Sequence, residues 1–283
     1  MTRLASIGLA AILALFASGS ANAGAMTIYD SLYHPLPSNT VSEGYQCCQN
    51  SSFGDEIQFA GTYRDLSIVT LTLSDWAAYS DVANDTTYAT TGNYDTTGFS
   101  IPLTLTLYNV GPGNSLGSVI ASQTIDPTIL WRPEYTGCDG SGSGFVGADG
   151  QCDHGLAQNV SFDFTGTAVP DTIIYALSFD TQTYGENPIG YPGPYNSLNF
   201  ALNETAPSVG SEFDPTYLWY KNSGYEVTTG TANVLSQNEF GDYVPAIQFT
   251  AVPEPPTIAL FAAALFGLGF AARRRRKASG TEA

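Results

Sequence analysis

Along the middle of the chain, apolar and polar residues alternate with a period of two. Ile101, Leu103, Leu105 and Leu107 are interleaved with Pro102, Thr104, Thr106 and Tyr108. Such a segment shows an apolar side and a polar side only as a β-strand, because successive strand side chains point to opposite faces. The same period marks Val160, Phe162 and Phe164, then Ile173, Tyr175, Leu177 and Phe179, then Leu198, Phe200 and Leu202, and finally Ile247, Phe249 and Ala251. Leu66 to Leu73 is a β-branched apolar run, and Leu103 to Val110 and Ser118 to Ile125 read as two neighbouring strands. No stretch between residues 24 and 252 carries the 3.6-residue period of an amphipathic helix, while Thr, Tyr, Phe and Gly are abundant there. The pattern predicts an all-β fold, an antiparallel β-sandwich of jelly-roll or immunoglobulin-like topology with Gly/Asn/Pro loops.

The two ends depart from this pattern. Arg3 is followed by an apolar stretch from Leu4 to Ala17 and by Ala21-Asn22-Ala23, the order of a secretory signal peptide with its small-x-small cleavage site. The mature chain is expected to begin at Gly24, although Ala23-Gly24-Ala25 offers a second site two residues on. At the other end, Pro253-Glu254-Pro255 leads into an apolar run from Ile258 to Ala272, followed at once by Arg273, Arg274, Arg275, Arg276 and Lys277. As a helix those fifteen residues reach about 23 Å at about 1.5 Å per residue, a short transmembrane span. Arginine stems snorkel into headgroups, and five consecutive cations favour the cytoplasmic side, leaving the body outside. Three segments result: a signal peptide at 1–23, one β domain at 24–252, and a C-terminal segment at 253–283.

That C-terminal order resembles the PEP-CTERM sorting signal of Gram-negative bacteria, in which Pro-Glu-Pro precedes a membrane helix and a basic cluster. Pro256 stands where the signal usually has Ser or Thr, and Ala278 to Ala283 extend past the basic cluster. The resemblance implies processing by exosortase, an inner-membrane precursor, and a final place at the cell surface or in the extracellular matrix. Tyr108-Asn109-Val110-Gly111, Trp131-Arg132-Pro133 and Pro194-Tyr195-Asn196-Ser197-Leu198-Asn199 look like segments of other exported proteins bearing this signal, whose function is uncharacterised. This second resemblance supplies no catalytic residue.

Charge narrows the partners. The whole chain carries −17, but six of its nine Lys and Arg lie in the two end segments, and the body keeps only Arg64, Arg132 and Lys221 against 24 acids. A body near −21 repels phosphate backbones, which argues against nucleic acid and for cations. Export makes the four cysteines disulfide candidates. Cys138 and Cys152 would close a Gly-rich loop; Cys47 and Cys48 are adjacent, and the alternative is that they pair with Cys138 and Cys152, one each.

Candidate chemistry is sparse. Gly113-Asn114-Ser115-Leu116-Gly117 matches a nucleophile elbow as a string, but it lies between two strands rather than at a strand-to-helix turn, so a hairpin turn is expected. Asp139-Gly140-Ser141-Gly142-Ser143-Gly144 sets oxygen-bearing side chains at calcium-loop positions, though Gly150 stands where the bidentate Glu belongs. Asp139, Asp149 and Asp153 are therefore the calcium candidates; no other cofactor is expected. Tyr191 and Tyr195, in a Gly/Pro-rich stretch, and Trp219 are candidates for stacking on sugar rings. A non-catalytic structural or polysaccharide-binding module is the expected function, with a secreted glycan hydrolase as the alternative.

Overall fold

The computed structural model describes residues 24–45, 50–83, 96–140, 144–179, 196–212, 217–222, 233–236 and 243–253; for Asn50, Ser51, 217–222 and 233–236 it describes the backbone alone. The elements are β1 (Met26–Asp30), β2 (Ser42–Gly44), β3 (Asn50–Gln58), β4 (Asp65–Asp75), α1 (Tyr79–Val82), β5 (Gly98–Ser100), β6 (Leu103–Gly111), β7 (Ser115–Ile125), β8 (Thr128–Leu130) and β9 (Phe145–Val146). They continue with β10 (Cys152–Asp153), β11 (Leu156–Ala168), β12 (Thr172–Ser178), β13 (Leu198–Asn203), β14 (Ser211–Glu212), β15 (Tyr217–Asn222), β16 (Asn233–Ser236), β17 (Val244–Pro245) and β18 (Ile247–Val252). The fold is all-β, its strands pair antiparallel, and the sheets curl into a half-barrel. Among the described residues no helix is long and apolar enough to cross a membrane. The expected span at 258–272 lies outside them, as do Glu254, Pro255, Arg273, Arg274, Arg275, Arg276, Cys47, Cys48, Tyr191 and Tyr195.

Two seven-stranded sheets carry the structure. One runs β1-β18-β4-β13-β17, with β11 on the other edge of β4 and β2 beside β13; the other runs β16-β15-β3-β12-β6-β7, with β14 beside β3. Their inner faces meet in one core. Phe53 of β3 meets Phe200 of β13 edge-on at 5.6 Å between ring centroids, and Tyr175 of β12 lies 5.7 Å from Phe249 of β18. Burying a side chain of this size contributes about 1.5–3 kcal/mol, and the core holds dozens.

The period of two decides which residues enter that core. Leu103, Leu105 and Leu107 are fully buried, while Thr104 and Thr106 face out and hydrogen-bond across to Thr124 and Ser122 of β7, each at 2.9 Å. The outer face of the first sheet repeats the device: Thr70 bonds Ser161 at 2.9 Å, and Thr72 donates to Asn159 at 2.7 Å. Cross-strand hydroxyl ladders of this kind satisfy polar groups on a face that must meet water.

The period breaks once within β4. Val69, Leu71 and Leu73 are buried, and strict alternation would place Ser67 inside next; Leu66 is buried instead and Ile68 is turned outward. The pairings to β11 and β18 both shift register here, so a bulge takes up the extra residue. Farther along, the edge of β4 forks, pairing β18 over its first part and β13 at its end. Ala246 fills the fork between β17 and β18, where its N–H donates to Ala201 O at 2.9 Å and its carbonyl accepts Thr72 N at 3.0 Å.

The string at Gly113 forms the expected hairpin between β6 and β7. Gly113 and Asn114 both take positive φ, 65° and 55°, the sign that a tight antiparallel turn requires. No helix follows Ser115, so no nucleophile elbow exists there.

Candidate functional site

Beyond the end of β4 the chain builds a small polar and aromatic surface. Trp76 follows Asp75, and its backbone N–H donates to Ser197 O at 3.1 Å. An isolated parallel bridge between Ala78 and Arg132 then sets residues 76–78 alongside the segment after β8. The bridge places Trp76 and Tyr135 in one neighbourhood, although 59 positions separate them in sequence. Both are exposed, at 38% and 41%.

Arg132 holds this neighbourhood together. It is 3% exposed, its Nε donates to Trp76 O at 2.7 Å, and its Nη1 donates to Pro133 O at 3.2 Å. The guanidinium lies over the Tyr135 ring, 3.8 Å from the centroid, and Nη2 stands 3.8 Å from Asp81 Oδ2. Asp81, in the single turn α1, accepts the Tyr135 hydroxyl at 2.8 Å and the Ala78 N–H at 2.8 Å. Ser80 bonds Glu134 through both its N–H and its hydroxyl. Behind them Asp75 is fully buried. Burial pushes its carboxyl well above the ordinary range, against the pull of the Ala77 and Arg132 backbone N–H groups and of the Arg132 charge.

A disulfide pins the adjoining loop. Cys138 and Cys152 are bonded, as expected for the Gly-rich loop. Gly144 is required beside it, since a Cβ there would lie 2.6 Å from Cys152 Sγ and 2.9 Å from Cys138 Sγ. Within the loop β9 and β10 pair as a short hairpin. Its turn is tied by Gly147 N to Gln151 O at 2.8 Å and by Gln151 N to Asp149 Oδ1 at 2.9 Å.

The disulfide also distributes the acids that follow each cysteine. Asp139 comes within 3.3 Å of His154 Nε2, and the His154 ring stacks on Trp76. Asp153 faces the other way, toward Asp149 across Gly147, where a Cβ would lie 2.0 Å from Asp153 Oδ2 and 2.9 Å from Asp149 Oδ1. Burial, then the Asp149 charge, raises the Asp153 carboxyl, and His154 opposes them. The three calcium candidates thus divide into a pair around Gly147 and a single acid at His154. Among the described residues the one three-donor group is Asp139, Cys152 and His154. Its sulfur is committed to the disulfide, which leaves one carboxylate and one imidazole as donors.

Of the aromatic candidates, Trp219 falls on β15, where the backbone alone is described, opposite Gly54 of β3. Sequence reasoning passed over Trp76 and Tyr135. A lone aromatic after a strand carries no periodic signal, and only the long-range bridge at Ala78 brings the two segments together.

Residues 251–276 match the family model of the PEP-CTERM protein-sorting motif. The motif marks an exported protein that is held at the membrane and then processed, and it is generally recognised by exosortase. No curated protein and no solved structure matches the chain.

Proposed function

We propose that this chain is a cell-surface or extracellular-matrix protein of a Gram-negative bacterium, whose acidic β-sandwich is a non-catalytic structural or polysaccharide-binding module. The observation that carries the reading is the braced exposure of Trp76. Its indole N–H donates to Ser74 Oγ at 3.0 Å, Ser74 donates on to Asn39, and His154 backs one face of the ring. An aromatic held by neighbours loses little entropy on contact, and its open face suits the apolar C–H face of a sugar. Tyr135, fixed by Arg132 and Asp81, adds a second exposed ring near the bridge. Tyr191, Tyr195 and, on β15, Trp219 are proposed as further stacking rings.

The enclosure of one core by two facing sheets supports a sandwich of jelly-roll or immunoglobulin-like topology. With a body near −21, neutral polymers are the natural partners, and calcium at Asp149 and Asp153, or at Asp139, would let an acidic polymer approach. A glycan hydrolase would need two carboxyls lining an open cleft about 5–9.5 Å apart. Of the carboxyl pairs described, Asp55 and Glu212 have the first member fully buried, out of reach of a polymer, and Asp149 and Asp153 stand at the turn of the short β9–β10 hairpin.

The test is retention on the host's own exopolysaccharide. Replacing both Trp76 and Tyr135 with alanine is expected to abolish retention with little change in melting temperature, since both rings are exposed. Undiminished retention sinks the assignment of these rings, and cleavage of the polymer by the purified protein sinks the non-catalytic reading.

A further inference from the structure

The inner face of the second sheet carries an acid among its hydrophobic residues. Along β3 the inward positions are Phe53, Asp55 and Ile57, and all three are fully buried. Tyr175 of β12 is the cross-strand partner of Asp55 and is fully buried too. On the other edge of β3, β14 sets Glu212 opposite Ile57, so the pleat aims its carboxyl at the same face, diagonal to Asp55. Tyr29 of β1 reaches in from the facing sheet, its ring 6.2 Å from Phe249, which lies 5.7 Å from Tyr175.

Asp55 Oδ2 and the hydroxyls of Tyr29 and Tyr175 have no hydrogen-bond partner among the described residues. Asp55 Oδ1 accepts the Glu56 N–H at 2.7 Å, but Oδ2 receives no donor from the described residues. The Glu212 carboxyl lies beside that of Asp55 and its charge acts on it. The hydroxyls of Tyr29 and Tyr175 are sealed from solvent and make no hydrogen bond of ordinary geometry among the described residues. Burial, then the Glu212 charge, drives the Asp55 carboxyl well above its ordinary range. Among the described side chains both arginines are engaged elsewhere, Arg64 with Asp171 at 2.8 Å and Arg132 with Trp76 O. Two adjacent carboxyls, one fully buried at Asp55 and one half-buried at Glu212, are tolerable only with a positive charge or a proton between them.

We propose that Asp55 and Glu212, walled by the hydroxyls of Tyr29 and Tyr175, bind one divalent cation inside the fold, calcium in this exported protein. The donor set is all oxygen, which suits a hard cation and excludes the thiolate and imidazole preferences of softer ones. Two carboxylates cancel a double charge. Calcium takes six to eight oxygens, so water completes the shell and gives the tyrosine hydroxyls partners. The ion would add a link between the two sheets, joining the paired strands β3 and β14 of one to β1 of the other through Tyr29. A shared proton is the rival, since it also relieves the carboxyl pair, but it neutralises one charge and leaves both hydroxyls unpaired.

The experiment uses the full chain in mild detergent, stripped with chelator and titrated with terbium and then calcium. Terbium emission sensitised through tyrosine is expected, along with its displacement by calcium and a calcium-dependent rise in melting temperature on the order of 5 °C. Both responses are read in an Asp149→Asn, Asp153→Asn background, which takes the hairpin acids out of the titration, and adding Asp55→Asn with Glu212→Gln to it should remove them. Tyr175→Phe, which preserves the packed ring, should weaken the terbium emission and keeps the test valid where the double acid variant does not fold. The proposal is overturned by the absence of any calcium response in that background, by a response that survives Asp55→Asn with Glu212→Gln, or by unaltered terbium emission in Tyr175→Phe. Stabilisation on mild acidification without any calcium dependence decides for the shared proton and against the ion.

Discussion

His154 lies behind Trp76, the ring centroids 6.1 Å apart and the planes 21° from parallel. The glycine that follows His154 makes this stack fit. A Cβ at Gly155 would lie 2.4 Å from Ser74 Oγ and 2.6 Å from both Asn39 Oδ1 and Trp76 Nε1. Gly155→Ala is therefore expected to push the indole off His154, to cost about 1–3 kcal/mol as overpacking does, and to abolish polysaccharide retention. Paired melting curves and retention assays check this; full retention with lowered stability would show that the orientation of Trp76 is irrelevant to binding.

Reduction should loosen the loop that positions His154. The bond from Cys138 to Cys152 closes a loop of 15 residues, for which the chain-entropy account gives about 3 kcal/mol. Cys138→Ser with Cys152→Ser is expected to lower the melting temperature by several degrees under oxidising conditions. Adding reductant to that variant should then change nothing further.

Arg132 is the least replaceable cation of the body. Removing it leaves Trp76 O without its donor and Tyr135 without the cation over its ring, so Arg132→Ala is expected to cost about 1–3 kcal/mol. Arg132→Lys should recover only part of this, because an ammonium has no planar face for Tyr135 and cannot reproduce the fork. Denaturant midpoints of the three proteins test the order.

Asp75 makes stability depend on pH. Its folded carboxyl sits well above the ordinary 3.8, so the folded chain holds a proton that the unfolded chain releases first. Stability from this group is complete below the unfolded value and is lost as pH rises toward the raised folded value. Asp75→Asn, which is neutral at every pH, is expected to be at least as stable as the parent at pH 7 and to show no advantage near pH 3.5. A variant less stable than the parent at pH 7 would mean that the charged carboxylate is what the site holds.

Deleting Thr257 to Ala283 removes the apolar run and the basic cluster of the sorting segment. The truncated protein is expected in the soluble exported fraction, while the full chain accumulates in the membrane pellet of cells lacking exosortase. Recovery of both proteins in the pellet would assign membrane retention to another part of the chain.

Most strands were legible because each buries one face, and burial writes a period of two into the sequence. β6, β12 and β18 show it plainly. β3 does not, since its inward residues are Phe53, Asp55 and Ile57, and an acid at a core position reads as a turn signal. Leu66 entered the core through a bulge, which shifts the period by one and leaves no local mark. The disulfide from Cys138 to Cys152 followed from spacing and compartment. The surface around Trp76 did not, because it depends on a single bridge between Ala78 and Arg132, two points 54 residues apart whose meeting is a property of the whole fold.

The last strand before the sorting segment is not at an edge. β18 lies between β1 and β4, and Met26, near the start of the body, is paired with Ala251, near its end. The sheet therefore stays open until the final residues of the body have crossed the membrane, which ties completion of folding to arrival of the sorting signal. Once closed, a pull on the anchored end runs along β18 and loads two rows of hydrogen bonds in shear, so they must yield together rather than one after another. If the proposed place at the cell surface holds, a tether through that strand suits the body to drag from flow or from a polymer gripping its far side.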